Sequence, residues 1–329
     1  YNHKRKRMNI THKTHFNPCI WTAFWNKDYY EEYRRNPAVK KDCRIQRVYS
    51  LNLKANKIFK TKVEKVHFEE GLGTSEITPD QMRDYCKRNF PQEYRKLNKY
   101  LKSHPETLYL DFENVFSGLE GSPAYQSLID VIQKERVTTR KEKINIATFI
   151  VLHKMRNHSI INSMIEMSNK LGEYRFEYFI WMKYAWSNPD VLYRLVYPLV
   201  ESQWLFYKTK DHTFPLCDSP IMSKDGNIMV ALSPKILLEI DVRIKTSLEK
   251  WIERDDIPKV KMDEYKIRTI SHSFIEIIFS EKGILEEWQK TEEFKRRVLL
   301  LSEVDSYNAL IKEEGGREIL KINAFAGIT

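Results

Sequence analysis

A chain of 329 residues exceeds what one hydrophobic core usually serves, so one large body with an appended lobe is expected. Hydrophobic residues at 42% and aromatics at 12% exclude a chain that is disordered throughout. The 55 Lys and Arg against 45 Asp and Glu give a net charge of +10, a field that draws in anionic partners without choosing between nucleic acid and acidic surfaces.

Residues 1–13, with HKRKR at 3–7, are polar and basic and carry no apolar period, so they read as a basic arm. In Thr14–Phe24, His15 stands before a helix started at Pro18, with Trp21 and Phe24 at helical spacing. Such a histidine faces N-terminal amides that attract anions, or is simply a hydrogen-bonded structural residue. Residues 44–70 alternate polar with β-branched and aromatic residues around an Asn and Lys turn, which predicts a β-hairpin. Its cations Lys60, Lys62 and Lys65 can be presented in rows to a phosphate backbone.

The period then changes to helical. Thr78 or Asp80 caps a helix carrying Met82 to Leu101, which Pro91 breaks or kinks. A second helix over DFENVFSGLE holds Asp111, Glu113 and Glu120, is interrupted at Gly121-Ser122-Pro123 and resumes afterwards. Glu113 and Glu120 share a helical face, as a metal or acid–base pair or as a solvated stripe. The longest helix begins near Thr139 and runs past Ile165. Within it Arg156 interrupts an apolar run beside His153, so its guanidinium needs an acceptor: a phosphate, or an internal carboxylate. His158 is expected to point elsewhere.

Helices are predicted over YRFEYFIWMKYAW and, after Asn188-Pro189, over DVLYRLVYPLVES. Short strands follow at WLFYKT, HTFPLC and NIMVAL, then helices at DEYKIRTISHSFIEIIFSEK and EEFKRRVLLL. Asp218, at a strand end two residues before Pro220, is a positioned ligand or base, or the head of an Asx-turn. The fold class is therefore α+β, mostly helical, with an N-terminal β-hairpin and a small central-to-late set of strands. The expected division is a basic arm over 1–13, a single domain over 14–283 and a helical extension over 284–329.

Cys19, Cys43, Cys86 and Cys217 are isolated, so neither a zinc knuckle nor a dithiol motif is written here. No secretory signal and no apolar run near the roughly 18 residues of a membrane helix is present, and a cytoplasmic protein without a membrane partner is expected. The P-loop, GxGxxG, GxSxG and HExxH signatures are absent. The Arg-x4-His spacing of Arg7 and His12, which matches one ribonuclease class, falls in the polar arm and is set aside.

In order, His15-Phe16-Asn17-Pro18 with Trp21 and Phe24, then Phe112-Glu113 and Phe116 to Glu120, then His153 to His158, resemble a prokaryotic family, domain of unknown function number 4238. The most specific match is Trp204, then Phe214-Pro215-Leu216-Cys217-Asp218-Ser219-Pro220, then Val230 to Pro234. Three departures stand out: His153 replaces a Gln, Asn157-His158 a Thr-Pro, and Cys217 a Ser. The resemblance implies a fold and a site location more than a reaction.

Four polar residues from distant segments, His15, Glu120, Arg156 and Asp218, are accordingly expected to meet in one cleft. The expectation is a nuclease-like phosphodiesterase, an effector or toxin. In it Glu120 and Asp218 hold Mg or Mn, His15 activates water or protonates the leaving oxygen, and Arg156 holds the phosphate. The alternative is a non-catalytic module that binds nucleic acid or a protein through the basic hairpin.

Overall fold

The computed structural model describes residues 13–36, 41–111 and 113–303, with the side chains of Lys13 and of 113–115 outside that description. The chain opens with β1 (Lys13–His15), a five-residue helix α1 (Cys19–Ala23) and α2 (Lys27–Arg35), the last capped by Asn26, whose side chain accepts from the Tyr29 N–H. The hairpin strands β2 (Arg47–Asn52) and β3 (Lys57–Lys62) follow, with Tyr49 opposite Lys60. They join through Asn56, whose φ of 48° lies in the left-handed region that Asn tolerates.

The hairpin expected over 44–70 stops at Lys62. Val63–Lys65 forms a 3₁₀ turn, and β4 (Phe68–Glu70) leaves to pair with β1. The physical reason is His67, which takes a left-handed φ of 52° and redirects the chain.

A small satellite comes next: β5 (Thr74–Ile77), α3 (Pro79–Asn89), α4 (Tyr94–Ser103) and β6 (Leu108–Asp111), with β5 and β6 paired antiparallel. Thr78 and Gln81 form a reciprocal capping box at α3, and the chain leaves the helix before Pro91. Then α5 (Glu113–Glu120) and α6 (Pro123–Lys134) are separated by the Gly121-Ser122 break.

The long helix expected from Thr139 is two helices. α7 (Arg140–Arg156) ends at Asn157, whose ψ of 135° is extended, and α8 (His158–Lys170) starts in a new direction. That break puts three consecutive polar residues, Arg156, Asn157 and His158, inside the molecule. α9 (Arg175–Ser187) and α10 (Pro189–Val200) follow, joined at Asn188, which caps α10.

The strands β7 (Ser202–Lys208), β8 (Leu216–Cys217), β9 (Met222–Lys224), β10 (Asn227–Ser233), β11 (Ile236–Lys245) and β12 (Ile252–Arg254) come next. The chain then runs through α11 (Lys259–Ser271), β13 (Glu276–Phe279), α12 (Lys282–Gln289) and α13 (Glu292–Glu303). Five strands make one sheet in the order β12-β7-β11-β10-β9, and four make another in the order β3-β2-β13-β8. Between β9 and β10, Asp225 and Gly226 both take positive φ, 48° and 75°, as a two-residue hairpin turn requires.

Residues 276–279 are a strand rather than the tail of the preceding helix. An apolar run buried on both faces carries no alternation, so its period does not separate strand from helix. Helices nonetheless take 51% of the described residues, and the fold is α+β and mostly helical.

The main core gathers Trp21, Phe149, Trp204, Leu238 and Ile277 around the two larger sheets, and a second core gathers Phe16, Phe116, Met155, Ile161 and Phe179. Leu285, Trp288 and Phe294 belong to the main core, so the segment from 284 to 303 is not a detached extension. Lys13 belongs to a strand rather than to an arm; residues 1–12 and 304–329 lie outside the described residues. Among the described residues, no helix is long and apolar enough to cross a membrane.

The N-terminus of α7 gives a test of this architecture. Thr139 Oγ accepts from the Glu142 N–H and Glu142 accepts from the Thr139 N–H, both at 3.1 Å. Thr139→Ala is expected to lower stability by about 1 kcal/mol, measured as a shift of the urea midpoint at unchanged slope.

Candidate functional site: a buried polar seam between two cores

Asn17, His67, His153, Arg156, Asp218 and Glu276 all lie buried where the two apolar cores meet. Trp21 and Phe149 of the main core pack against the His153 ring, while Phe16 of the second core meets His158 edge-on. Buried polar groups need partners. Asn17, His67, His153 and Glu276 are partners of one another, whereas Arg156 and Asp218 bond to neighbouring groups.

The carboxamide of Asn17 sets the direction of every bond. The Cys217 carbonyl can only accept, so the Asn17 atom 2.9 Å from it is Nδ2. The same Nδ2 donates to His67 Nδ1 at 2.8 Å, and Oδ1 accepts from His153 Nε2 at 2.8 Å. Each imidazole therefore carries its proton on Nε2. His153 Nδ1 is left to accept from the Tyr125 hydroxyl at 3.3 Å, and His67 Nε2 is a buried donor with no partner among the described residues.

Burial pushes the His67 imidazole down to about 3, with the neighbouring His15 adding to the effect. Burial, followed by Arg156 and His67, holds His153 far below its ordinary value. Both rings are neutral at physiological pH. Neither is a general acid there.

Glu276 closes the seam on the sheet side. One carboxyl oxygen accepts from the His67 N–H at 2.6 Å and the other bonds the Ser50 hydroxyl. Burial raises this carboxyl to about 7, against the opposing pull of its two hydrogen bonds. The His67 N–H to Glu276 bond, together with the Phe16 N–H to His67 carbonyl bond at 2.7 Å, holds the left-handed backbone of His67 in place.

Arg156 lies at the other end. Its Nε donates to the His15 carbonyl at 2.8 Å, its Nη1 to Glu120 at 3.1 Å, and its guanidinium lies 4.3 Å from the Phe116 ring centre. Its Nη2 has no partner among the described residues. The Arg156 side chain is 1% exposed and that of Glu120 33%, so the pair meets solvent through the carboxylate.

Of the four residues expected to meet, His15, Glu120 and Arg156 are in direct contact, but His15 takes part through its main-chain carbonyl. Its ring faces the Glu64 carbonyl at 3.4 Å and the Phe68 ring. Asp218 is one link further along, next to the Cys217 carbonyl that Asn17 holds. Its oxygens accept from the Phe274 N–H at 3.0 Å and the Ile275 N–H at 2.6 Å, and burial raises its carboxyl above the usual range despite those bonds and the nearby His158.

The pairing of Glu120 with Asp218 around Mg or Mn does not fit these partners. Glu120 serves Arg156 and Asp218 serves two amides. Among the described residues, no group of three or more His, Cys, Asp and Glu is placed to hold a metal ion. His158 belongs to the seam's edge rather than elsewhere, buried with its Nε2 2.6 Å from Glu69. The side chain of Glu113, and Arg7 and His12, lie outside the described residues.

Lys60 and Lys62 stand on β3, the outer strand of its sheet, whereas Lys65 stands on the 3₁₀ turn beyond it. The four cysteines are unbridged, and burial pushes the Cys19 thiol up to about 12, helped by Cys43 and Glu120.

Sequence reasoning missed Asn17, His67 and Glu276 as members of the seam. For Glu276 a signal existed: it is the one acid inside Phe-Ile-Glu-Ile-Ile-Phe. No family model, curated protein or solved structure matches this chain.

Two tests follow from the seam. The folded-state pKa of Glu276 is raised, so its contribution is full below about 4.5 and is lost as pH rises through about 7. The depressed His67 and His153 work in the opposite direction, destabilising the fold as pH falls below about 6.5. Glu276→Gln removes only the first effect. Between pH 7 and pH 5 that variant is expected to lose about 2 kcal/mol more stability than the parent, read from denaturant midpoints at each pH.

Arg156→Lys is expected to destabilise by about 2 kcal/mol or more, because an ammonium does not replace the fork that joins Glu120, the His15 carbonyl and the Phe116 ring. Lys154→Arg, on the same helix, is expected to change stability by less than about 1 kcal/mol. Thermal melts of the two variants side by side check this.

Proposed function

We propose that the protein binds single-stranded nucleic acid along the edge of its hairpin. The observation that carries this reading is that Lys57, on one face of β3, Lys60, on its other face, and Lys65 beyond it are all exposed and none is paired with a carboxylate among the described residues. Lys62 differs, since it sits 3.5 Å from Glu64. Phe59, 47% exposed, stands in the same strand as a stacking surface, and Lys60 lies 5.4 Å from the Tyr49 ring centre. Cations that track a backbone beside aromatics that stack on bases are how proteins hold a single strand without reading its sequence.

Lysines on an edge strand also discourage pairing with other sheets, which is the plainer explanation of the same residues. The two explanations separate on salt dependence. Changing Lys57, Lys60 and Lys65 to Gln is expected to flatten the slope of log affinity against log salt by about 0.7 for each phosphate that is no longer neutralised. The same change at Lys290 and Arg296, exposed on the C-terminal helices, should leave that slope in place. Arg297 is not a comparable position, being buried and bonded to the Ser273 carbonyl. Fluorescence anisotropy with a labelled oligonucleotide at four salt concentrations gives the slopes; equal slopes in parent and triple variant would reduce the basic edge to solubility.

A second reading, an enzyme acting on phosphodiesters, is favoured by one observation: the seam reaches the hairpin, because the His15 ring lies against the Glu64 carbonyl. In that reading Arg156, with Nη2 unpartnered among the described residues, receives the phosphate when Glu120 swings away. Cleavage of the labelled strand by the parent protein, abolished in Arg156→Lys, would favour this reading over binding alone.

A further inference from the structure

Several helices of this chain hold cations beside acids of the same helix: Arg83 with Asp80 and Arg88 with Asp84 in α3, Lys261 with Glu264 in α11, Lys282 with Glu286 in α12 and Lys295 with Glu292 in α13. α4 (Tyr94–Ser103) is built differently. Its ten residues carry Arg95, Lys96, Lys99 and Lys102 and no acid. All four cations are exposed, and none is paired with a carboxylate among the described residues.

Helical spacing gathers these charges on one side. Leu97 and Leu101 turn inward, Leu101 to a buried position, while Arg95, Lys99 and Lys102 line the opposite face in a row roughly 10 Å long, with Lys96 beside it. The arrangement is unfavourable in the free protein. Arg95 and Lys99, Lys96 and Lys99, and Lys99 and Lys102 are like charges three or four residues apart, and Arg95 and Lys96 oppose the helix dipole in a first turn that holds no acid. A helix face that serves solubility alone gains from interspersed acids; a row of one sign gains from an anion that removes the repulsion.

Next to the row the Tyr100 and His104 rings stack, 4.1 Å between centres and 22° between planes. His104 is held in that stack because its Nδ1 donates to the Tyr100 carbonyl at 3.0 Å. Tyr100 is 60% exposed, so a flat aromatic surface stands ready beside the cations.

We propose that α4 is a second nucleic-acid contact, in which the cationic row holds the phosphate backbone of a single strand and Tyr100 stacks on an unpaired base. Anionic lipid headgroups would satisfy the row but offer the ring pair no planar partner. The inference rests on the same class of partner as the reading of the hairpin, and on a different surface.

Anisotropy titrations of a labelled oligothymidylate test it in four proteins: the parent, the α4 variant Arg95→Gln/Lys99→Gln/Lys102→Gln, the variant at Lys57, Lys60 and Lys65, and the two combined. The α4 changes are expected to flatten the slope of log affinity against log salt by about 0.7 for each phosphate no longer neutralised. That effect is expected with and without the hairpin changes, so failure of the hairpin reading leaves it measurable. The thermal midpoint of the α4 variant is expected at or above that of the parent, because repelling charges are removed, which separates a lost contact from a lost fold. Tyr100→Ala is expected to weaken single-strand binding about tenfold and Tyr100→Phe by less than about twofold. Neither is expected to change affinity for a duplex of the same length, whose bases are already paired. The proposal is overturned if the parent binds no oligonucleotide, if the α4 variant keeps the parent slope, or if Tyr100→Ala weakens duplex and single strand equally. It is also overturned if the α4 cations carry binding to phosphatidylserine vesicles and not to the oligonucleotide.

Discussion

One carboxamide joins the parts of this molecule that matter for its interior. Asn17 reaches the Cys217 carbonyl, His67 and His153, three groups from three distant stretches of chain, with bonds of 2.8 to 2.9 Å. An amide suits this role because it offers donors and an acceptor on one rigid plane, with no charge to desolvate. A carboxylate at the same place would face the Cys217 carbonyl with another acceptor. The orientation of Asn17 then decides the tautomer of both histidines, and through His67 it reaches Glu276 and the central strand of the four-stranded sheet.

The seam joins a carboxamide and two neutral imidazoles to a buried carboxyl, and the Arg156–Glu120 ion pair lies at its open end. That arrangement follows from burial: desolvating an imidazolium is unfavourable, so the rings stay neutral and serve as paired donors and acceptors. Arg156 is accommodated by a carboxylate that remains one-third exposed, a carbonyl and an aromatic face. A seam built this way specifies how two apolar cores meet, since a sliding of one core against the other would strand several polar groups at once.

α7 separates two environments of opposite character. One of its faces carries the closed polar seam and the other borders an open apolar pocket with cationic lining. The basic strand β3 lies at the edge of its sheet, while its hairpin partner β2 supplies Ser50 to the seam. Catalysis needs reactive groups at a place where substrate can arrive. His67, His153 and Glu276, whose acidity is strongly shifted, are buried, which is why exposed cations carry more of the functional reading than these perturbed titratable groups do.

Local signals in the sequence determined the capping boxes at Thr78 and Thr139, the hairpin turn, the break at Pro91 and the α+β class, because caps, turns and amphipathic periods act over a few residues. They also singled out Arg156 as an arginine that needs an acceptor, a phosphate or an internal carboxylate, whereas the expectation that His15, Glu120 and Asp218 meet it came from the family resemblance. Tertiary structure alone decided that His15 contributes its carbonyl, that Asp218 is occupied by the amides of Phe274 and Ile275, and that Phe-Ile-Glu-Ile-Ile-Phe is a strand rather than a helix. It alone brought Asn17, His67 and Glu276 together. Hydrogen bonds between residues 50 to 209 positions apart leave no local period, so they are set only when the chain has brought both cores to the same seam.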